Sequence, residues 1–227
     1  MPFALTPRVV RIMRATVGFI LVFSLSMLAG MTDAIGFLSV DEFMSFMSGN
    51  TTRMGVALSL ENIERFERLA LVIAMFVVGN ALGMMLSYST RRLRIPVLML
   101  FISTLLCIAA GWPGDEMGTP SLVCAVIAMG ALNNVVDNVE GVALALTYVS
   151  GALSKFGRGL GRFMMGDRNL DWLAQIVPWG GLVVGATIGA ALQEHYGRHG
   201  LWACFAVSLI LTTTTVLIPR AWQRRFG

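Results

Sequence analysis

Asp33 is the one carboxylate set well inside the first long apolar run of this chain. An ionisable group at membrane depth is costly, and it normally faces a bundle interior or a wet cavity. Two chemistries suit it. It could bind a proton or a cation during a transport cycle. It could also accept backbone N–H bonds as a cap for the segment that follows. That segment is the second concentration of chemistry: Phe43-Met44-Ser45-Phe46-Met47-Ser48-Gly49-Asn50-Thr51-Thr52-Arg53-Met54-Gly55. Ser48, Gly49, Asn50 and Thr51 place two hydroxyls, an amide and a conformationally free residue between apolar stretches. A broken segment in a membrane exposes backbone groups that can hold an ion or a small polar solute. The same side chains could equally serve to satisfy the break itself.

A weaker copy of this knot lies later in the chain: Tyr148-Val149-Ser150-Gly151-Ala152-Leu153-Ser154-Lys155-Phe156-Gly157. Setting Ser150-Gly151 on Ser48-Gly49 brings Lys155 onto Arg53, Phe156 onto Met54 and Gly157 onto Gly55. Just before it comes a polar cluster of Asn133, Asn134, Asp137, Asn138 and Glu140. Helical spacing would put Asn133, Asp137 and Glu140 on one face. Such a face is either the mouth of a pathway or a solvated helix end.

Other chemistry is not encoded. Glu194, His195 and His199 sit close together, but no third zinc ligand accompanies the two histidines, so a polar loop is expected. Cys107, Cys124 and Cys204 all lie inside apolar runs and read as small buried hydrophobes. We find no catalytic triad, no phosphate-binding glycine loop and no cofactor motif. The expectation is a protein that is not an enzyme and needs no metal or cofactor. The net charge of +4 comes from clusters that flank apolar runs. That is orientation chemistry rather than a nucleic-acid surface. Lys155, Arg158 and Arg162 suit anionic lipid headgroups, or positive-inside anchoring alone.

The elements that must position these residues follow from composition. Of 227 residues, 56% are hydrophobic and 13% charged, against roughly 25% charged in soluble domains. Such a surface must face lipid, and a span needs about 20 helical residues. Apolar runs cover residues 15–40, 69–88, 95–111, 122–136, 172–193 and 201–218, with the knots at 43–60 and 142–166. Trp112, Trp172, Trp202 and Trp222 lie near run ends, as an interfacial belt requires. Residues 111–116 form a turn-rich midpoint.

Basic clusters favour the cytoplasmic side. If each knot dips in and returns, the amino terminus, 91–94, 155–168 and the carboxyl terminus all fall inside. Asp41-Glu42 and Asp115-Glu116 then fall outside. The predicted architecture is an all-α polytopic protein of about six spans. It forms a 3+3 inverted repeat, residues 1–112 and 113–227, with two re-entrant or broken segments. An arrangement of eight full spans in parallel repeats would leave three arginines outside. Further anchors support the duplication: Asp33 falls opposite Asn133, and Gly79-x-x-x-Gly83 opposite Gly185-x-x-x-Gly189.

Gly30-Met31-Thr32-Asp33-Ala34, then Phe43 with Met47-Ser48-Gly49-Asn50-Thr51, then Gly130-Ala131-Leu132-Asn133-Asn134 and Thr147-Tyr148-Val149-Ser150-Gly151, occur in this order along nearly the whole chain. In them the chain resembles the YoaK family, a bacterial inner-membrane family defined by a domain of unknown function. That family's pattern has threonine where this chain has Ser48 and Ser150, and glutamine where it has Asn133. The resemblance implies a multi-pass inner-membrane protein and no activity.

The functional expectation therefore rests on the residues: a transporter or channel for a small polar solute or ion. Its pathway candidates are Asp33, Ser48, Gly49, Asn50, Thr51, Asn133, Asn134, Asp137, Ser150 and Gly151, with the knots meeting near the midplane. The alternative is an accessory or structural subunit of a larger membrane complex, or a homo-oligomer, that binds partner helices and membrane lipids.

Overall fold

The computed structural model describes residues 6–90, 93–136, 138–139, 142–143, 146–147 and 149–223. Among these, eight helices of three turns or more carry the fold. They are α1 (Pro7–Val40), α2 (Met47–Ser59), α3 (Ile63–Thr90), α4 (Arg94–Gly111), α5 (Thr119–Leu132), α6 (Val149–Met164), α7 (Ile176–Tyr196) and α8 (Leu201–Leu217). A two-residue antiparallel ladder, β1 (Asn138–Val139) with β2 (Val142–Ala143), links α5 to α6. Helices α1, α3 and α4 and the helical stretch 171–217 are long and apolar enough to cross a membrane, and α5 is a shorter apolar helix. Gly197, in the left-handed region at φ 56°, ends α7, and a one-turn piece, Gly197–Gly200, leads into α8. The chain is a polytopic helical membrane protein.

Glycine sets how closely the helices approach. Between helices in lipid, small residues let backbones touch where no hydrophobic drive exists. Gly181, Gly185 and Gly189 of α7 lie on Phe23, Met27 and Met31 of α1 in turn. Because the two series rise together, α1 and α7 are parallel. Gly79 and Gly83 of α3 lie on Ile127 and Ala131 of α5, so these helices are parallel too. The contacts are reciprocated: Gly30 closes on Leu182 and Ala186, and Gly130 on Phe76 and Asn80.

The remaining contacts run oppositely. Ser103 of α4 meets Thr212 of α8 at 2.9 Å, while Gly111 lies beside Trp202, so α4 and α8 are antiparallel. Arg94 donates to the Asn134 carbonyl at 2.8 Å and Ser121 to the Ala109 carbonyl at 2.7 Å, so α4 and α5 are antiparallel. Thr32 reaches Met129 Sδ at 3.0 Å and Ser26 the Leu146 carbonyl at 3.2 Å, which sets α1 against α5. Helices α1, α4 and α7 therefore run one way and α3, α5 and α8 the other. Helix α2 lies between the oppositely running α1 and α3, and α6 between the oppositely running α5 and α7. One end of the bundle carries Arg8, Arg11, Arg94 and the basic residues of α6. The other carries Asp41, Glu42, Asp115 and Glu116, with Arg53, Arg65 and Arg68 paired to the first two. The core between α1, α4 and α5 is filled by Leu25, Leu28, Met31, Leu98, Met99, Ile102, Leu106 and Met129, all fully or almost fully buried.

Two boundaries differ from those read in the sequence. Helix α1 starts at Pro7 rather than near residue 15, because its arginines continue the helix beyond the apolar run. Helix α5 stops at Leu132 rather than near 136. The Asn133, Asn134 and Val135 amides bond to carbonyls three residues back, which tightens the end into single turns. The shared helical face expected of Asn133, Asp137 and Glu140 would need α5 to continue past Leu132, and Asp137 and Glu140 lie outside the described residues.

Candidate functional site

The first knot is built on the end of α1. Asp41, at φ 57° in the left-handed region, stops the helix, and residues 41–46 turn the chain back. Asp33 holds that turn from below. Its Oδ1 accepts the Ser45 amide and its Oδ2 the Ser45 hydroxyl, both at 2.6 Å, and the side chain is 7% exposed. Asn50, fully buried on α2, makes a second clasp. Its Nδ2 donates to the Phe43 carbonyl at 2.6 Å and its Oδ1 accepts the Phe43 amide at 3.1 Å. Phe37 stacks on Phe43 with centroids 5.0 Å apart, and Phe46 meets Phe43 edge-on at 5.3 Å. Gly49 lets this aromatic group close on α2: a Cβ there would sit 2.6 Å from Phe46 Cε1.

Ion pairs fasten the outer side of the turn. Asp41 pairs with Arg53 at 2.8 Å and with Arg65, while Arg53 also lies over the Phe37 and Phe43 rings. Glu42 is buried at 2% exposure, with Arg68 Nε 3.8 Å from its Oε1. Burial pushes the Glu42 carboxyl above the usual carboxylate range, against the pull of Arg68, Arg65 and Arg53.

The second knot repeats the first in outline. Asn133, just past α5, accepts the Thr147 hydroxyl on its Oδ1 at 2.8 Å and donates to the Met129 carbonyl at 3.4 Å. Asn134 donates instead to the Asn80 carbonyl of α3 at 3.2 Å. Helix α6 then starts at Val149, with Ser150 and Gly151 in its first turn. Gly159 seats α6 on the one-turn helix Asp171–Gln175, where a Cβ would lie 2.9 Å from Trp172 Cδ2. Phe156 packs edge-on against the same Trp172 at 5.0 Å.

Both knots border one cavity of about 570 Å³. Helix α1 supplies Gly30, Asp33, Ala34, Phe37 and Leu38, and the first knot Phe43 and Phe46. The second knot supplies Thr147, Val149, Ser150 and Leu153, and α7 Trp179, Leu182, Ala186 and Ala190. The wall is mostly carbon, with Asp33, Thr147 and Ser150 as its polar side chains. Among the described residues, no lysine, arginine or histidine lines it.

The residues singled out in the sequence thus separate. Asp33 and Ser150 line the cavity. Asn50 and Asn133 stand one hydrogen bond behind it, through Phe43 and Thr147. Gly49 and Gly151 are half-buried in the two knot helices. Ser48 and Thr51 are exposed on α2, where Thr51 bonds the Met47 carbonyl at 2.8 Å. Asn134 serves the α3–α5 contact. Sequence reasoning passed over the walls formed by Phe37, Trp179 and Leu182. The aromatic density around the first knot signals Phe37 alone, and nothing in the pattern marks Trp179 or Leu182.

Residues 21–214 match the model of a family described as a protein of unknown function, DUF1275. A UPF0700 transmembrane protein of Rhizobium meliloti (strain 1021), RA0705, is 47% identical over 221 residues, which cover 96% of this chain and 95% of that protein. No solved structure matches. The chain therefore belongs to the YoaK-like DUF1275 family of transmembrane proteins, the family its Gly-x-x-Asp-Ala and Ser-Gly-Asn-Thr motifs pointed to.

Proposed function

We propose that this protein is a small transporter or channel of the bacterial inner membrane, with both termini cytoplasmic. The observation that carries this reading is the cavity bounded by both knots, with the buried Asp33 carboxylate in its wall. A membrane-embedded ionisable group facing a cavity is where solute or ion pathways are built. On this reading Asp33 binds the solute or its coupling cation, and Thr147 and Ser150 supply hydrogen bonds beside it.

The architecture we assign is two inverted three-span repeats, α1 to α4 and α5 to α8, with α2 and α6 as the non-crossing segments. Its support is the register of the helix contacts. Met27, Gly30, Met31 and Asp33 correspond to Ile127, Gly130, Ala131 and Asn133. Phe76, Gly79, Asn80 and Gly83 correspond to Leu182, Gly185, Ala186 and Gly189. Each glycine contact of α1 with α7 has its counterpart between α5 and α3 at these positions. The clasp of Asp33 on Ser45 likewise has its counterpart in Asn133 and Thr147. In such folds a site lies at the repeat interface and the repeats rock about it. The accessory-subunit reading has only the exposed apolar faces in its favour, which any membrane-embedded chain has.

The test is flux. Purified protein in proteoliposomes is screened against loaded solutes, with Asp33→Asn as the control. Protein-dependent flux lost in Asp33→Asn supports the proposal. A screen of anions, cations and neutral solutes with no protein-dependent flux, together with stoichiometric co-purification of another membrane chain, would replace it with the accessory role.

A further inference from the structure

The wall of the cavity has a lopsided chemistry that narrows the solute, given the pathway reading above. Phe37, Phe43, Phe46 and Trp179 contribute aromatic surface along its length, while Asp33 is the single charged side chain among the described residues that line it. Both Asp33 oxygens accept hydrogen bonds from Ser45, an arrangement that suits an ionised, acceptor-only carboxylate. The Met44 and Phe46 amides also donate toward the carboxylate. Arg53 is already engaged with Asp41 and lies over the Phe37 and Phe43 rings. The turn meets this charge with neutral donors only, and among the described lining residues no cation faces it.

The candidates sort by what that wall can satisfy. An anion would meet Asp33 at close range in a poorly solvated space. A sugar or other many-hydroxyl solute would find three polar side chains for its many donors and acceptors. A bare metal ion would have to give up its water for one carboxylate and two hydroxyls in a cavity far larger than itself. A molecule with an apolar body and one positive charge matches both parts of the wall. Aromatic faces attract such cations further, most strongly where water is excluded. The volume falls within the roughly 300–1,000 Å³ of pockets that bury small organic ligands.

We propose that the cavity between the knots is a site for lipophilic organic cations, with the charge turned to Asp33 and the body seated among Phe37, Phe46 and Trp179. The test uses two probes of the same shape and opposite charge, tetraphenylphosphonium and tetraphenylborate, in equilibrium binding to the purified full chain in detergent. Saturable, stoichiometric binding of the phosphonium ion is expected, with none for the borate. Asp33→Asn should weaken phosphonium binding at least tenfold while leaving the melting temperature within a few degrees of wild type. Trp179→Ala should weaken it without changing the preference for positive charge. Equal binding of both probes, or Asp33→Asn binding like wild type, overturns the proposal. Binding of the cation without its flux in proteoliposomes would sink the transport reading and leave the site standing. Flux of another solute with no cation binding would do the reverse.

Discussion

Replacing Gly185 by alanine tests the packing that holds the two halves together. A Cβ at this position would lie 2.7 Å from the Met27 carbonyl carbon and 2.8 Å from Met27 Cα, both backbone atoms of α1. It falls short of ordinary contact by about 0.7 Å. Backbone cannot rotate aside as a side chain can, so α1 and α7 must part along their length. Gly180, on the same helix, is the internal control, since its Cβ would meet only Phe23 Cε2 at 3.8 Å. Both substitutions share the helix-propensity gain of up to about 1 kcal/mol. Their difference therefore isolates overpacking, about 1–3 kcal/mol. At roughly 2–4 °C per kcal/mol for a chain of this size, Gly185→Ala should melt several degrees below Gly180→Ala in a detergent thermal-shift assay. Gly79→Ala should behave like Gly185→Ala, because its Cβ would meet Ile127 Cα at 2.9 Å. Equal melting of Gly185→Ala and Gly180→Ala would refute the close backbone contact of α1 and α7.

Asp33→Asn should fold, because an amide can accept the Ser45 N–H and donate to the Ser45 hydroxyl; flux should be lost, and retained flux with unchanged pH dependence would leave Asp33 a cap. Asn50→Ala strands the Phe43 N–H and carbonyl, and at about 1–3 kcal/mol for each buried unsatisfied group it should lower the melting temperature more than Thr51→Ala on the exposed face. Glu42 binds its proton more tightly folded than unfolded, so its ionisation costs stability from the usual carboxylate range upward, and the cost disappears on acidification below that range. Glu42→Gln should therefore gain on wild type most near neutral pH and least near pH 4, in parallel melts across that interval; a constant difference would contradict the buried setting of Glu42. An impermeant thiol reagent added to intact cells should label a cysteine at Asp115 and spare one at Lys155 or Arg92, and the opposite pattern would invert the assigned orientation.

The helix order and the glycine contacts were readable because each depends on local pattern. Apolar runs of span length and Gly-x-x-x-Gly spacing require no knowledge of the partner. The offset between Gly79 and Gly185 was legible as well, but not that their partners are α5 and α1. The end of α5 was not readable, because polar residues at helical spacing look the same whether the helix continues or ends in capping turns. Asp33 was read with two roles, and its bonds to Ser45 display the capping geometry while its place in the cavity wall keeps the other. The inward turn of Asn50 depends on the path of the loop it clasps, which no spacing encodes. Phe37 and Trp179 sit at ordinary helical positions, so only the meeting of α1, α7 and both knots makes them a wall. Ser48 and Thr51 carried a promising hydroxyl pattern, yet α2 turns them outward once Asn50 is committed to Phe43.

The claim that a pathway runs between the knots is tested most directly by water access to its two ends. In a background lacking Cys107, Cys124 and Cys204, single cysteines replace Phe46 and Ser150. Each is then exposed to a charged, membrane-impermeant thiol reagent from either side of sealed vesicles. The account predicts modification of position 150 from the face bearing Arg8 and Arg94 and of position 46 from the opposite face, with each protected by a solute that the protein carries. Modification of both only by a membrane-permeant maleimide, with no reaction to the charged reagent from either side, would make the cavity a lipid-facing groove and contradict the pathway.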